Sequence, residues 1–130
     1  DEKEYKDVEF GYVKFVFRVE ATDDTNYISL DKAKEAFTKI NELRKAQGLK
    51  ELTWSDDIYN NLALPKANQI SRQYDSTGFV ARREEDSATV ATKWFNSGLR
   101  ELLLDPNATE GAVAAVVNGD GYYYWAYNYK

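Results

Sequence analysis

The stretch "INELRKAQGLKELTWSDDIYNNLALPKANQISRQY", residues 40–74, carries two helices and the corner between them. Upstream, Ala33, Ala36, Phe37, Ile40, Leu43 and Gln47 recur at three- and four-residue spacing, which predicts a helix over 31–47. Asp31 is its expected N-cap, and Gly48 supplies the stop. "LKELTW" (Leu49 to Trp54) reads as a short connector with apolar anchors. Ser55 followed by Asp56 and Asp57 opens a second helix, the carboxylates sitting at its positive end. Its expected apolar face is Ile58, Leu62, Ala63, Ala67, Ile70 and Tyr74. Pro65 lies inside it, where a lost hydrogen bond and a ring clash cost about 3 kcal/mol, so a kink or a restart is expected.

On the N-terminal side, Asp1 to Glu9 is a polar, charged entry. "YVKFVFRVEA" then alternates, with Val13, Phe15, Phe17 and Val19 on one face, as a half-buried strand does. Thr22 to Asn26 has turn chemistry. On the other side, "YDSTG" (Tyr74 to Gly78) is a turn and "FVARR" a short strand. "DSATVATKWFNS" (Asp86 to Ser97) is a third helix capped by Asp86 or Ser87, and "LRELLLD" adds a helical turn. The tail, "GAVAAVV", "NGDG" and "YYYWAYNYK", is a β-hairpin whose Asn-Gly and Asp-Gly pairs suit positive φ angles. Alternation places Tyr123, Trp125, Tyr127 and Tyr129 on one face of its last strand, Tyr122 and Tyr124 on the other. That second face is either covered by a helix or a binding surface. Helices over a small antiparallel sheet make an α+β domain.

With 130 residues, 43% of them hydrophobic, the chain can bury a core as one domain. No apolar run approaches the roughly eighteen residues of a membrane span. The net charge is −5, the acidic groups are spread along the chain, and no Lys/Arg cluster gives a nucleic-acid footprint. There is no Cys and no His. That excludes a thiol nucleophile, a Ser-His-Asp triad and an imidazole or thiolate zinc site. There is also no Met, which is expected of a processed product or an excised domain.

Asn41, Arg44, Gly48, Leu49, Leu52, Trp54, Asn61 to Ala63 and Ala67 form one block, and "WFNSGLRELLLDP" (Trp94 to Pro106) begins a second. In this order and at this separation they resemble the CAP superfamily of cysteine-rich secretory, antigen 5 and pathogenesis-related proteins, in its bacterial form. The resemblance runs from about Leu30 to Tyr129. It implies an α-β-α sandwich over 30–130, preceded by an added N-terminal segment, 1–29. It also implies export, as in Gram-positive relatives, to the extracellular space or the cell surface. The family's cleft holds two histidines and two acidic residues. In this chain Leu99 stands where the second histidine would precede Arg100, and no histidine stands near Gln73 to Ser76. The resemblance implies that Ser76, Glu84, Glu85, Asn96 and Leu99 line that degenerate cleft.

The loss implies a binding module without catalysis and without a cofactor. Its ligand is an unidentified protein, glycan or lipid, and flanking domains of a longer parent chain are compatible with it. A hydrolase working through carboxylates alone, or a purely structural domain of a larger surface protein, are the alternatives. Glu84, Glu85 and Asp86 could bind Ca²⁺ or Mg²⁺ only by converging, which adjacent residues do poorly; a polar loop leading into a helix is the plainer reading. Asn41 and Arg44, at i and i+3, read as structural hydrogen-bonding groups, and Asn96-Ser97 as a helix end.

Overall fold

The computed structural model describes residues 26–130. The expected polar entry, the alternating N-terminal strand and the turn up to Thr25 lie outside the described residues. In chain order the elements are β1 (Tyr27–Ile28), α1 (Leu30–Ala46) and β2 (Thr53–Trp54), then a helix α2 in three consecutive pieces (Asp56–Ile58, Tyr59–Ala63 and Leu64–Arg72). They continue with β3 (Phe79–Arg82), α3 (Ser87–Phe95), α4 (Arg100–Leu103), β4 (Glu110–Val117) and β5 (Tyr123–Tyr129).

Helix α1 begins after Ser29, not Asp31, which sits inside the first turn. Ser29 makes no side-chain cap; its main-chain N–H is instead tied to the Ala115 carbonyl at 2.9 Å. A sheet contact thus fixes the start of the helix, and the acidic residue only complements the dipole. The other end is as expected. Gly48 takes φ +79°, its N–H donating to Lys45, and Leu49 N–H donates to the Arg44 carbonyl, closing a double-bonded glycine cap.

In α2, Ser55 Oγ accepts the Ile58 N–H at 3.1 Å, as the Ser-Asp-Asp start requires. The chain stays helical through Pro65, but the regular α-helix gives way just before it and resumes at Leu64, with Pro65 in the first turn. The turn before it widens into a π-helical segment, Tyr59–Ala63, in which Leu64 N–H reaches back to the Tyr59 carbonyl. A π turn inserts one extra residue, and just ahead of a proline it gives the ring room where a regular turn would crowd it. The same insertion rotates the apolar stripe. Ile58, Tyr59, Ala63, Ala67 and Ile70 are buried, while Leu62 is 51% exposed. Tyr74 lies past the helix end and is 66% exposed, so neither residue belongs to the buried face.

The sheet runs β1-β4-β5-β3, with β2 joining the start of β4 in parallel. Strand β4 is central and small: Gly111 through Val116 are all fully or nearly fully covered. Alternation splits it cleanly. Val113 and Ala115 face a core shared with Ala36, Phe37 and Ile40 of α1 and Val90 and Trp94 of α3. Ala112, Ala114 and Val116 face a second core under α2. Small side chains let helices approach both faces closely, and β5 supplies the bulk, with Trp125 and Tyr127 towards α1 and α3 and Tyr124 towards α2. The result is a three-layer α-β-α sandwich, mixed α+β. Both faces of the aromatic strand are covered by helices, so Tyr124 is core; Tyr122, at the hairpin turn, stays 43% exposed. In that turn only Gly121 takes a positive φ (+87°), and Asn118 Oδ1 accepts the N–H groups of Asp120 and Tyr122.

Candidate functional site

The corner after α3 is built by Ser97. Its hydroxyl donates to the Trp94 carbonyl at 2.7 Å and accepts the Leu99 N–H at 3.1 Å, which fixes the turn into α4. Leu99 is thereby delivered half-buried onto the cluster that holds Phe79, Trp94, Leu103 and Tyr127. Within that cluster the rings interlock: Phe79 meets Tyr127 edge-on at 5.0 Å and Trp94 at 5.8 Å, and Trp94 stacks on Tyr127 at 6.0 Å. Such pairs add about 0.5–1.5 kcal/mol each beyond burial. Trp94 Nε1 is satisfied by the Val80 carbonyl at 3.1 Å. Leu99 therefore packs against the hydrophobic core.

Each of the other residues assigned to the cleft has its own setting. Ser76 is exposed in the loop after α2. The carboxylate of Glu84 accepts the Lys93 ammonium at 3.0 Å, and its carbonyl accepts Trp125 Nε1. Glu85 is exposed, its carbonyl bound by Lys32 Nζ at 3.0 Å. Asp86 caps α3 through the Thr89 N–H and hydroxyl, which hold its carboxyl below the usual range. The carboxylates of Glu84 and Asp86 are thus engaged separately, and that of Glu85 faces solvent. Among the described residues no three Asp or Glu side chains are grouped to hold a metal ion.

Asn96 ends α3 and lines an open groove of about 500 Å³ between α1 and α3, with Lys39, Ala88, Thr89, Thr92 and Lys93. Lys93, which pairs with Glu84, is also one of the groove's lining residues. The polar stripe of the groove recurs at three- to four-residue spacing along α3 and was readable from the sequence. A second hollow, about 310 Å³, lies between α2 and the start of β3; Leu62, Lys66, Thr77 and Asn128 are among its walls. The π turn that swings Leu62 outward, and so places it in that wall, leaves no such signal.

Asn41 and Arg44 are structural, as their spacing suggested. Asn41 exchanges two hydrogen bonds with the main chain of Leu52, at 3.1 and 2.7 Å. Arg44, wholly buried, donates to the carbonyls of Lys50, Leu103 and Asp105.

Residues 37–129 match the cysteine-rich secretory protein (CAP) family, and the chain belongs to that family. Two solved structures share its fold. One is a cysteine-rich secretory protein of Staphylococcus aureus, 22% identical with a TM-score of 0.50; the match covers 87% of this chain and 42% of that one. The other is an outer surface protein of Borrelia burgdorferi, 16% identical with a TM-score of 0.57, covering 81% of this chain and 99% of that one. The present chain thus spans less than half of the staphylococcal protein. No curated protein matches it significantly.

Proposed function

We propose that this CAP domain works outside the cell or at its surface as a binding or interaction module, and that it carries out no catalysis. The observation that supports this most is Leu99. At the position where the family resemblance expects a histidine, an aliphatic side chain packs, half-buried, against the hydrophobic core. The two acids assigned to the degenerate cleft, Glu84 and Glu85, make no mutual pair: one carboxylate holds Lys93, the other side chain is exposed. A carboxylate hydrolase needs two such groups facing one bond, about 5–10 Å apart. The bacterial secretory and outer-surface proteins that share the fold support the extracellular setting.

The test is turnover of peptide, ester and glycan substrates by the purified chain, with and without Ca²⁺, Mg²⁺ or Zn²⁺. The expected result is none. Turnover that disappears in Glu84→Gln or Glu85→Gln would replace this reading with a histidine-independent hydrolase.

A further inference from the structure

One cationic surface stands out on a chain whose net charge is −5. Arg82 closes β3 and Arg83 follows it. The Arg82 guanidinium lies 4.8 Å from the ring centroid of Tyr74, and that of Arg83 lies 4.6 Å from Tyr122. All four side chains are exposed. Among the described residues no carboxylate pairs with either guanidinium. Of the neighbouring acids, Asp75 holds Lys66 at 2.7 Å, Glu84 holds Lys93 and Asp86 caps α3, while the Glu85 side chain is exposed.

The backbone at Arg83 is unusual. It takes φ +62°, and it is the one non-glycine residue with positive φ among those described. That region is unfavourable for a residue carrying a Cβ, and such strain gathers at functional positions. Its N–H still donates to the Tyr123 carbonyl at 2.6 Å, so the β3–β5 ladder reaches it. In a regular strand two consecutive arginines point to opposite faces. The left-handed conformation ends that alternation and sets the second guanidinium over Tyr122. Glycine or asparagine would serve this backbone with less strain, yet an arginine is held there.

A guanidinium stacked by its flat face keeps its in-plane N–H fork free, and that fork matches a carboxylate with two parallel hydrogen bonds. Exposed tyrosine beside arginine is also the composition of interaction hot spots. We propose that Tyr74, Arg82, Arg83 and Tyr122 form a docking surface for an acidic segment of a protein partner. The two guanidiniums take its carboxylates, and the tyrosines carry its apolar atoms. Two cations beside two aromatic rings suit a short peptide better than a long polyphosphate, whose binding draws on many phosphate contacts. The proposal rests on the binding-module reading. Its test reads affinity and not turnover, so the two fail separately.

The experiment titrates the full chain with a fluorescein-labelled oligoglutamate peptide at low salt, with oligolysine and inorganic polyphosphate as comparison probes. Oligoglutamate is expected to bind, weakening as salt rises, and the double variant Arg82→Ala/Arg83→Ala to lose roughly tenfold or more in affinity. Arg82→Lys keeps the charge without the fork and is expected to fall between. Arg83→Gly accepts the same φ freely, so it is expected to weaken binding without lowering the melting temperature, which separates docking from folding. Absence of oligoglutamate binding, undiminished binding by the double variant, or tighter binding of polyphosphate would each overturn the proposal.

Discussion

Arg44 Nη1 donates to the main-chain carbonyl of Asp105 at 3.0 Å while the whole arginine is buried. The same nitrogen reaches the Leu103 carbonyl, and Nε reaches Lys50, so one guanidinium joins α1 to its own exit loop and to the segment after α4. Tyr129 completes the corner by donating its hydroxyl to the Asp105 carboxylate at 3.2 Å.

A charge buried on main-chain carbonyls stands or falls with the donor geometry. Lysine has a single nitrogen and cannot serve three carbonyls in the positions Arg44 serves. Arg44→Lys is expected to destabilise the fold by about 2 kcal/mol and Arg44→Ala by about 3–5 kcal/mol, read from urea unfolding. Asn41→Ala is the smaller companion change, since it removes two bonds to Leu52 in one place.

Gly111 is needed for space, at the point where β2, β4 and β5 meet. A methyl group built there would lie 3.1 Å from the Asn128 carbonyl, 3.2 Å from Tyr127 Cε1 and 3.3 Å from Leu52 Cδ1. The carbonyl belongs to the β4–β5 ladder and cannot yield cheaply. Gly111→Ala is therefore expected to cost about 1–3 kcal/mol, as overpacking does, and to lower the melting temperature. The substitution Gly98→Ala, with nothing within 4 Å, is the matched control and should be close to neutral.

Asp75 makes the loop after α2 sensitive to acid. The Lys66 ammonium first, and then the Thr77 N–H, hold its carboxyl far below the usual range. A depressed folded-state pKa contributes stability above the unfolded value, about 3.9, and loses it as pH falls towards the folded value. The melting temperature is expected to decline below about pH 4. In Asp75→Asn it should start lower at neutral pH and fall less steeply with acid.

The sequence showed most of this architecture because its signals were local. Gly48 ended α1, Ser55 opened α2, Asp86 capped α3, and the alternation after Asn118 drew the last strand. Asn41 and Arg44 were legible as structural because their spacing aimed both at the connector. What escaped depended on geometry without a residue signature. The π turn before Pro65 turned Leu62 outward, and the Ser29 main chain, bound to Ala115, took the place expected of an Asp31 cap. The left-handed backbone at Arg83 gathers the cationic surface, yet in sequence it is only one of two arginines. The absence of histidine was legible at once; where Ser76, Glu84, Glu85 and Asn96 end up depends on loops the sequence does not pattern.

The claim that the cleft has been converted into packing is tested most directly at Leu99, by urea unfolding of Leu99→Ala. Half-buried against the hydrophobic core, the side chain should contribute like other core leucines, reduced for its partial exposure. The expected loss is about 1–2 kcal/mol. Unchanged or increased stability would contradict the account, because it would mark Leu99 as the wall of an open site kept at the expense of the fold.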